Sequence, residues 1–335
     1  MKNVMSFGIE STSHTFGIGI IKEDGIILAN ERSVYQPKKG KGIIPREAAE
    51  HHTQNAAKIF ESTLKKAKVE IKDIDVIAIA IGAGLPPCLR VGLVFSRYLA
   101  LKYKKPLVPV CHQVAHIEIG KLTTGSKDSV VLYLSGGNTQ VIAFTEGRYR
   151  IFGETEDVPV GNAIDTLARE IGLPPPYGSN FDKTAEKGEY IELPYVVKGM
   201  DLSFTGIVTN AIKKFKSGVS QEDVCFSFQE TCFAMLTEVC ERALAHTDKK
   251  EVLLVGGVAA SKRMQEMVKI MCKERGARMF VVPWEYAGDC GINIAWTGLL
   301  AYNSDISMNI EKSKIRQKWR TDEAEIPWIQ DENVK

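Results

Sequence analysis

The feature that most constrains the fold of this chain is a succession of short apolar segments that occurs twice. Apolar runs of this length, bounded by turn residues, predict β-strands, and three of them in series predict an antiparallel unit. In each copy the three segments are separated by short polar or glycine-containing turns: VMSFGIE, TFGIGII and IILANERSV within 4–34, then VVLYLS, TQVIAF and RYRIFGE within 130–154.

Each copy continues with helical segments and a further apolar strand that ends in glycine, DVIAIAIG (75–82) and EVLLVGG (251–257). A chain of 335 residues exceeds the usual size of one hydrophobic core, so the duplication predicts an α/β protein with two lobes and a cleft between them. This plan is similar to the two-lobed, duplicated ATPase fold of actin, Hsp70 and the sugar kinases. The alternative is two unrelated hairpins with ordinary turns.

The positions of the two copies also predict the domain boundaries. We expect an N-terminal lobe at 1–126 and a C-terminal lobe at 127–325, whose final helix can pack back on the N-terminal lobe. Residues 326–335 are expected to form a tail or a linker.

Composition narrows the class of protein. The net charge is only +2, so attraction to nucleic acid depends on local basic patches or on partners. No apolar run reaches 18 residues and the N-terminus begins directly with a strand-like segment, which predicts a soluble cytoplasmic protein without membrane association. The seven cysteines contain no C-x-x-C pair, which argues against a disulfide framework and a thiolate zinc site.

Glycine-rich junctions indicate where a nucleotide would bind. Gly82-Ala83-Gly84 and Gly256-Gly257 each follow a strand and precede a helix, and the first hairpin turn of the second copy contains Gly136 and Gly137. Glycine lets the backbone approach a ligand closely, and closely spaced N–H groups attract phosphate. None of these junctions matches a Walker loop or the G-x-G-x-x-G pattern, so each one alone is a weak signal.

A histidine pair predicts a metal site. His112 and His116 are four residues apart at the start of a predicted helix, which places both imidazoles on one face. Gln113 occupies the position that the catalytic glutamate has in H-E-x-x-H proteases, and an amide cannot accept the proton, so we regard a metalloprotease as improbable. Further ligands must come from elsewhere; Tyr133 and Asp289 are candidates, for Fe or Zn, and a core tyrosine and an N-cap aspartate are the alternatives.

Several stretches together resemble one family. The resemblance covers nearly the whole chain in the right order, and the family is the archaeal and eukaryotic type of tRNA threonylcarbamoyladenosine synthase, the catalytic subunit of the KEOPS complex, once described as an O-sialoglycoprotein endopeptidase. The matching stretches are GIESTSHT (8–15), IIPREAAEHH (43–52), CHQVAHIE (111–118), LYLSGGNTQ (132–140), GNAIDTLARE (161–170), VGGVAASKR (255–263) and QKWRTDE (317–323).

The resemblance implies roles for individual residues. Asp182 stands where the family often has glutamate and Ser261 where it usually has asparagine, so nucleotide affinity is expected to differ more than the chemistry. The implied metal ligands are His112, His116, Tyr133 and Asp289, and the implied nucleotide and substrate site comprises Tyr133, Leu134, Ser135, Gly136, Gly137, Asp165, Gly178, Asp182, Gly256, Gly257 and Ser261.

The resemblance also implies an activity and partners. The chain would transfer a threonylcarbamoyl group from threonylcarbamoyl-AMP to the exocyclic amine of the adenosine 3′ of the anticodon in tRNA, with one Fe or Zn ion per subunit and an adenine nucleotide in the cleft. Implied partners are a small dimerising KEOPS subunit and a kinase-like ATPase subunit, which in some archaea is fused C-terminally. The sequence offers three weak candidates for a general base: Glu10, His51 and His52.

Two other functions fit the predicted fold. A small-metabolite kinase would leave the histidine pair without a role, and a nucleotide-dependent interaction module, like the lobes of Hsp70, would not need a metal. Measured metal content therefore separates the enzyme from the module.

Overall fold

A computed structural model describes residues 3–37 and 42–329, so part of the predicted tail lies outside the described residues. Contacts divide the chain into two compact units. The first lies within Met1–Leu122, Thr145–Tyr149 and Asp289–Lys335, and the second within Thr123–Phe144 and Arg150–Gly288. The predicted lobes placed 289–325 in the C-terminal part, whereas the structure groups these residues with the first unit.

The first unit is built on a five-stranded sheet in the order β3-β2-β1-β4-β5. The first three strands are antiparallel, as the duplicated pattern predicts, and β4 and β5 add in parallel. Its elements are β1 (Met5–Glu10), β2 (Thr15–Lys22), β3 (Ile27–Val34), α1 (Pro45–Ala67), β4 (Val76–Gly82), α2 (Pro86–Tyr103), β5 (Leu107–Cys111), α3 (His112–Thr124) and, near the C-terminus, α10 (Gly291–Asn303).

Helix α10 lies directly on the first sheet because glycines remove the side chains between them. A Cβ atom on Gly8 would lie 2.1 Å from the backbone N of Ala295, and one on Gly19 would lie 2.3 Å from that of Ile292. Both distances are below van der Waals contact, so a larger residue at either strand position would displace the helix. This packing explains why the C-terminal segment belongs to the first unit.

The second unit repeats the first sheet. Its strands follow the order β12-β11-β6-β7-β8, which read from β8 is the order of the first sheet, with β6 and β7 antiparallel and β6, β11 and β12 parallel. The elements are β6 (Val130–Leu134), β7 (Thr139–Thr145), β8 (Arg148–Glu154), α4 (Val160–Glu170), α5 (Tyr177–Ala185), β9 (Val197–Lys198), β10 (Asp201–Leu202), α6 (Thr205–Lys216), α7 (Gln221–Thr247), β11 (Glu251–Val255), α8 (Lys262–Glu274), β12 (Arg278–Val281) and α9 (Trp284–Ala287).

The hydrophobic core of the second unit explains the long apolar helix α7. Phe228, Phe233 and Leu236 are fully buried there against the sheet and the neighbouring helices. Cys225, Cys232 and Cys240 of α7 are buried as well. None of the described helices combines the length and the hydropathy that crossing a bilayer requires.

Candidate metal centre and nucleotide site

The predicted histidine pair lies where β5 passes directly into α3. His112 is the first residue of the helix and His116 lies one turn later, so the two imidazoles share a face; their ring centroids are 4.8 Å apart. Both side chains are buried. Two neutral imidazoles in a buried position form a suitable half of a transition-metal site.

Asp289 completes a three-residue cluster. Its Oδ1 lies 3.5 Å from Nε2 of His112 and 3.3 Å from Nε2 of His116, and the three ligand atoms all lie within 4.8 Å of one another. Arg32 donates a hydrogen bond of 3.3 Å to the backbone oxygen of Asp289. Two imidazole nitrogens and a carboxylate oxygen turned towards one point fit Zn²⁺ or iron.

The cluster lies within the first unit, which corrects one expectation. We expected the carboxylate to come from the lobe opposite the histidines, because Asp289 follows the second copy in the sequence. Helix α10 packs on the first sheet, and this packing brings Asp289, two residues before the helix, to the histidines. Tyr133, the fourth predicted ligand, is buried in β6 of the second unit, and its coordination of a metal stays a prediction.

Glu10, at the end of β1, contacts His112 at Nδ1, the ring nitrogen that does not face Asp289. Its Oε2 lies 2.9 Å from Nδ1 of His112. Its Oε1 accepts hydrogen bonds from the backbone N–H of Thr12 at 2.6 Å and from the Thr12 hydroxyl at 2.5 Å. The Glu10 side chain is 1 % exposed, so both carboxylate oxygens are engaged and shielded from water.

The charges of the cluster shift its protonation when no metal is bound. Burial by itself lowers the pKa of His112, but the carboxylates of Glu10 and Asp289 outweigh burial and raise this pKa to about 9. For Asp289, burial raises the pKa, and the two imidazoles outweigh burial and hold it below its usual range. Burial lowers the pKa of His116. The cluster therefore prefers a cationic partner for its carboxylates, whether a proton on His112 or a metal ion.

Gln113, between the two histidines, has a structural role. Its amide oxygen accepts from the backbone N–H of Ala83 at 3.4 Å, and its amide nitrogen donates to the backbone oxygen of Trp319 at 3.3 Å. The Cys111 thiol also donates to its oxygen, at 3.3 Å. These contacts hold the turn after β4 and the C-terminal segment, and they agree with the sequence argument against a protease.

The remaining predicted base candidates lie on α1. His52 is fully buried, and its Nε2 lies 3.0 Å from the backbone oxygen of Ser13. Burial lowers its pKa to about 4, so the imidazole is neutral at physiological pH. His51 contacts the Ser33 hydroxyl through Nε2 at 2.9 Å, and burial lowers its pKa as well.

In the second unit, the side chain of Ser135 closes the turn after β6. The Ser135 hydroxyl accepts from the backbone N–H groups of Gly137 at 3.2 Å and of Asn138 at 2.9 Å. Around Gly136 and Gly137, the positions that a Cβ atom would occupy are open. The side chain of Leu134, also predicted for this site, belongs to the hydrophobic core, so only its backbone is available to a ligand.

Two further glycines hold other segments against this turn. Gly256 has a φ of +89°, and a Cβ atom there would lie 2.2 Å from the backbone oxygen of Leu134. Gly161, at the start of α4, would place a Cβ atom 2.7 Å from the backbone oxygen of Ser135. The sequence analysis gave Gly161 no role, although its position at the start of a helix was a usable signal. Gly257 and Gly178 both have open space at the Cβ position.

Asp182, on α5, lies beside Ser261, which separates the 3-10 helix Gly257–Ala260 from α8. Burial raises the pKa of Asp182, and the side chains of Ser261 and Gln229 partly offset this. The amide of Gln229 donates to Oδ1 of Asp182 at 2.7 Å. No motif marks Gln229, which lies in the apolar helix α7. Asp165 is half-buried on α4.

Comparison with known proteins gives a consistent result. Residues 26–296 match the model of a family described as tRNA N6-adenosine threonylcarbamoyltransferase. A protein of that name from Thermofilum pendens is 51% identical over 98% of this chain and 98% of its own length. Another, from Thermococcus sibiricus, is 54% identical over 97% of this chain and 100% of its own length.

Solved structures support the fold. HypF from T. kodakarensis matches 90% of this chain and 48% of its own with a TM-score of 0.62 at 16% identity. An activator of 2-hydroxyisocaproyl-CoA dehydratase from Clostridium difficile, with bound ADPNP, matches 91% of this chain and 97% of its own with a TM-score of 0.54 at 11% identity. A ROK family glucokinase from Streptomyces griseus, in complex with glucose and AMPPNP, covers 90% of this chain with a TM-score of 0.50. The chain has the expected actin-like ATPase fold.

Proposed function

Because this chain belongs to the tRNA N6-adenosine threonylcarbamoyltransferase family, we propose that the cluster of His112, His116 and Asp289 is the metal centre of that transferase. Family membership makes the chain an enzyme that modifies adenosine in tRNA. The observation that carries the proposal is the convergence of two side chains of α3 and one from two residues before α10, whose ligand atoms lie within 4.8 Å of one another.

The proposed ion is Fe or Zn, and Tyr133 is proposed as a further ligand. Such an ion supplies Lewis-acid stabilisation of negative charge that develops on the substrate during transfer. The imidazoles and the carboxylate would fix its position, and the burial of the two imidazoles would limit the screening of its charge by water. One ion is proposed for each subunit.

The proposed donor is threonylcarbamoyl-AMP, with its AMP part bound by the second unit. The open space at glycines 136, 137 and 257 suits a phosphate, and Asp182 with Ser261 suits the hydroxyl groups of a nucleoside. Asp165 and Gly178 are proposed to line the same site. Two of the similar solved structures have an ATP analogue bound, which supports an adenine nucleotide here.

The proposed reaction is an acyl transfer. The exocyclic amine of the adenosine 3′ of the anticodon attacks the carbamoyl carbon and forms a C–N bond. The bond from that carbon to the phosphate oxygen breaks, AMP leaves with the electron pair, and the amine releases a proton. The backbone donors of the second unit stabilise the phosphate of the departing AMP.

The proposed setting is the KEOPS complex in the cytoplasm. A net charge of +2 is small for an enzyme that must hold a whole tRNA, so partner subunits would contribute to RNA binding. We propose a small dimerising subunit and a kinase-like ATPase subunit as these partners, the latter either separate or fused at the C-terminus.

The test is a reconstituted transfer reaction. The full chain is combined with its partner proteins, unmodified tRNA and an enzyme that makes threonylcarbamoyl-AMP from threonine, bicarbonate and ATP, and the nucleosides of the digested tRNA are analysed by mass spectrometry. We expect threonylcarbamoyladenosine, and none with a tRNA that has guanosine at the target position. If the modified nucleoside fails to form with active partner proteins, the proposed reaction is wrong.

A further inference from the structure

We propose that Glu10 is a positioning residue that holds His112 in the tautomer with hydrogen on Nδ1, so that Nε2 is free to bind the metal. The proposal rests on the proposed metal centre and gives Glu10 a role different from that of a general base. In many proteins, a carboxylate accepts a hydrogen bond from the ring nitrogen that is not bound to the metal. This bond orients the histidine ligand and strengthens metal binding.

The position of Glu10 is fixed by its surroundings. The residue ends β1, and Thr12 donates to its Oε1 from both the backbone N–H and the hydroxyl. With 1 % of the side chain exposed, water cannot replace these bonds. The other oxygen, Oε2, is therefore held 2.9 Å from Nδ1 of His112, the distance of a strong hydrogen bond from N–H to a carboxylate.

Two carboxylates compete for the proton of a neutral His112. Glu10 approaches Nδ1 at 2.9 Å, and Asp289 approaches Nε2 at 3.5 Å. Hydrogen on Nε2 would point at Asp289 and remove the lone pair that a metal needs, whereas hydrogen on Nδ1 leaves that lone pair turned towards Asp289 and His116. The shorter contact favours hydrogen on Nδ1, so Glu10 selects the tautomer that binds metal.

This arrangement predicts an inverted tautomer in Glu10→Gln. The backbone N–H of Thr12 can only donate, so it requires the amide oxygen of the new glutamine. The amide NH₂ group then faces Nδ1 of His112 and needs an acceptor there. His112 would carry its hydrogen on Nε2, bonded to Asp289, and would have no lone pair for the metal. A variant of nearly the same size thus tests the proton position rather than the packing.

Glu118→Gln is the matched control. Glu118 is also a buried glutamate of the same unit, two residues beyond His116, but its Oε1 accepts from the Tyr149 hydroxyl at 2.6 Å. The amide oxygen of glutamine can accept the same bond, so the metal cluster stays unchanged.

The experiment measures two quantities on the full chain. Competition with a chromophoric chelator gives the affinity for Zn²⁺, and the ¹⁵N shifts of the His112 imidazole in the metal-free protein, above the pH at which this imidazole becomes neutral, give the tautomer. We expect about 10- to 100-fold weaker Zn²⁺ binding and hydrogen on Nε2 in Glu10→Gln, with wild-type values for Glu118→Gln.

The outcomes separate this proposal from the one on which it rests. If wild type binds Zn²⁺ and Glu10→Gln binds it equally tightly, the role of Glu10 is refuted and the metal centre stands. If wild type binds no Zn²⁺, the metal centre fails and the role of Glu10 fails with it. Should Glu10→Gln not fold, Thr12→Val removes one bond to Oε1 at a buried site, and unchanged Zn²⁺ affinity in that variant also refutes the proposal.

Discussion

The two sheets of this protein share one strand order, but the residues at the ends of equivalent strands make different contacts. In the first unit, Glu10 at the end of β1 is buried and contacts a histidine. In the second, the turn after β6 presents backbone N–H groups around the Ser135 hydroxyl and open space at Gly136 and Gly137. The duplicated fold therefore carries a cluster of imidazoles and a carboxylate in one copy, which we propose binds a metal ion, and an open glycine turn in the other, which we propose binds a phosphate.

The glycines after the fourth strand of each sheet show the same contrast. In the first unit, a Cβ atom on Gly82 would lie 1.8 Å from the backbone oxygen of Arg316, and one on Gly84 would lie 2.5 Å from that of Thr12. In the second unit, Gly256 is equally crowded but Gly257 is open. Glycine allows close chain packing at the first junction, whereas one of the two glycines of the second leaves room for a ligand.

The largest effect is expected from removing one proposed metal ligand of the first unit. His116→Ala should abolish stoichiometric metal and lower the transfer rate at least about 100-fold, because a buried ligand is removed. Nucleotide affinity of the second unit should stay the same. Metal analysis, transfer assays and nucleotide titration measure the three quantities, with the exposed His246→Ala as control. Full activity in a metal-free His116→Ala protein would show that the reaction needs no metal in the first unit. It would thus contradict the difference proposed between the two units.

Substitution of a crowded glycine should destabilise the protein more than substitution of an open one. Gly256→Ala should lower the free energy of unfolding by about 2 to 4 kcal/mol, because its φ of +89° and its contact with Leu134 both exclude a side chain. Gly257→Ala should change it by less than about 1 kcal/mol. Chemical denaturation measures both. Equal losses in the two variants would show that Gly257, like Gly256, has no room for a side chain.

A pH-dependent difference is expected at His52 of the first unit. Its folded pKa of about 4 lies below the ordinary value of 6.5, so the unfolded state binds the proton more readily. The stability that neutral His52 contributes is complete above about pH 6.5 and is lost as the pH falls to 4, by about 2 to 3 kcal/mol. His52→Gln keeps an N–H donor for Ser13 and cannot titrate in this range.

Denaturation of wild type and His52→Gln at pH 7, 5.5 and 4.5 isolates this contribution, because all other groups are common to both. We expect the stability difference between the two proteins to shift in favour of the variant as the pH falls. A difference that does not change with pH would refute the buried, neutral state of His52.

The smallest effect is expected at the proposed phosphate site of the second unit. Gly137→Ala should weaken nucleotide binding about tenfold, since a methyl group would occupy space proposed for phosphate, and should leave the melting temperature unchanged. Calorimetric titration with AMP measures the affinity. The matched control is Gly206→Ala, an exposed position in α6 of the same unit with no neighbouring atoms at its Cβ; equal effects at both positions would argue against a phosphate site at Gly137.

Much of the fold was predictable because apolar periodicity and turn residues are local properties. The strand pattern predicted both antiparallel units, and the spacing of His112 and His116 predicted a shared helical face, which the structure confirms. The family resemblance is confirmed by the relatives at 51% and 54% identity. The sequence analysis offered Glu10 only as a weak candidate for a general base and gave Gln229 no role, because the contacts of both residues are with partners distant in sequence.

The sequence by itself determined the elements, their duplication and the residue types available for chemistry, since these follow from side-chain properties and short-range spacing. Only the tertiary structure decided that Asp289 joins the histidines within the first unit. That outcome depends on α10 packing against glycines of β1 and β2, almost 300 residues away in the chain. Contacts of this kind arise from shape complementarity between surfaces, which no local pattern encodes.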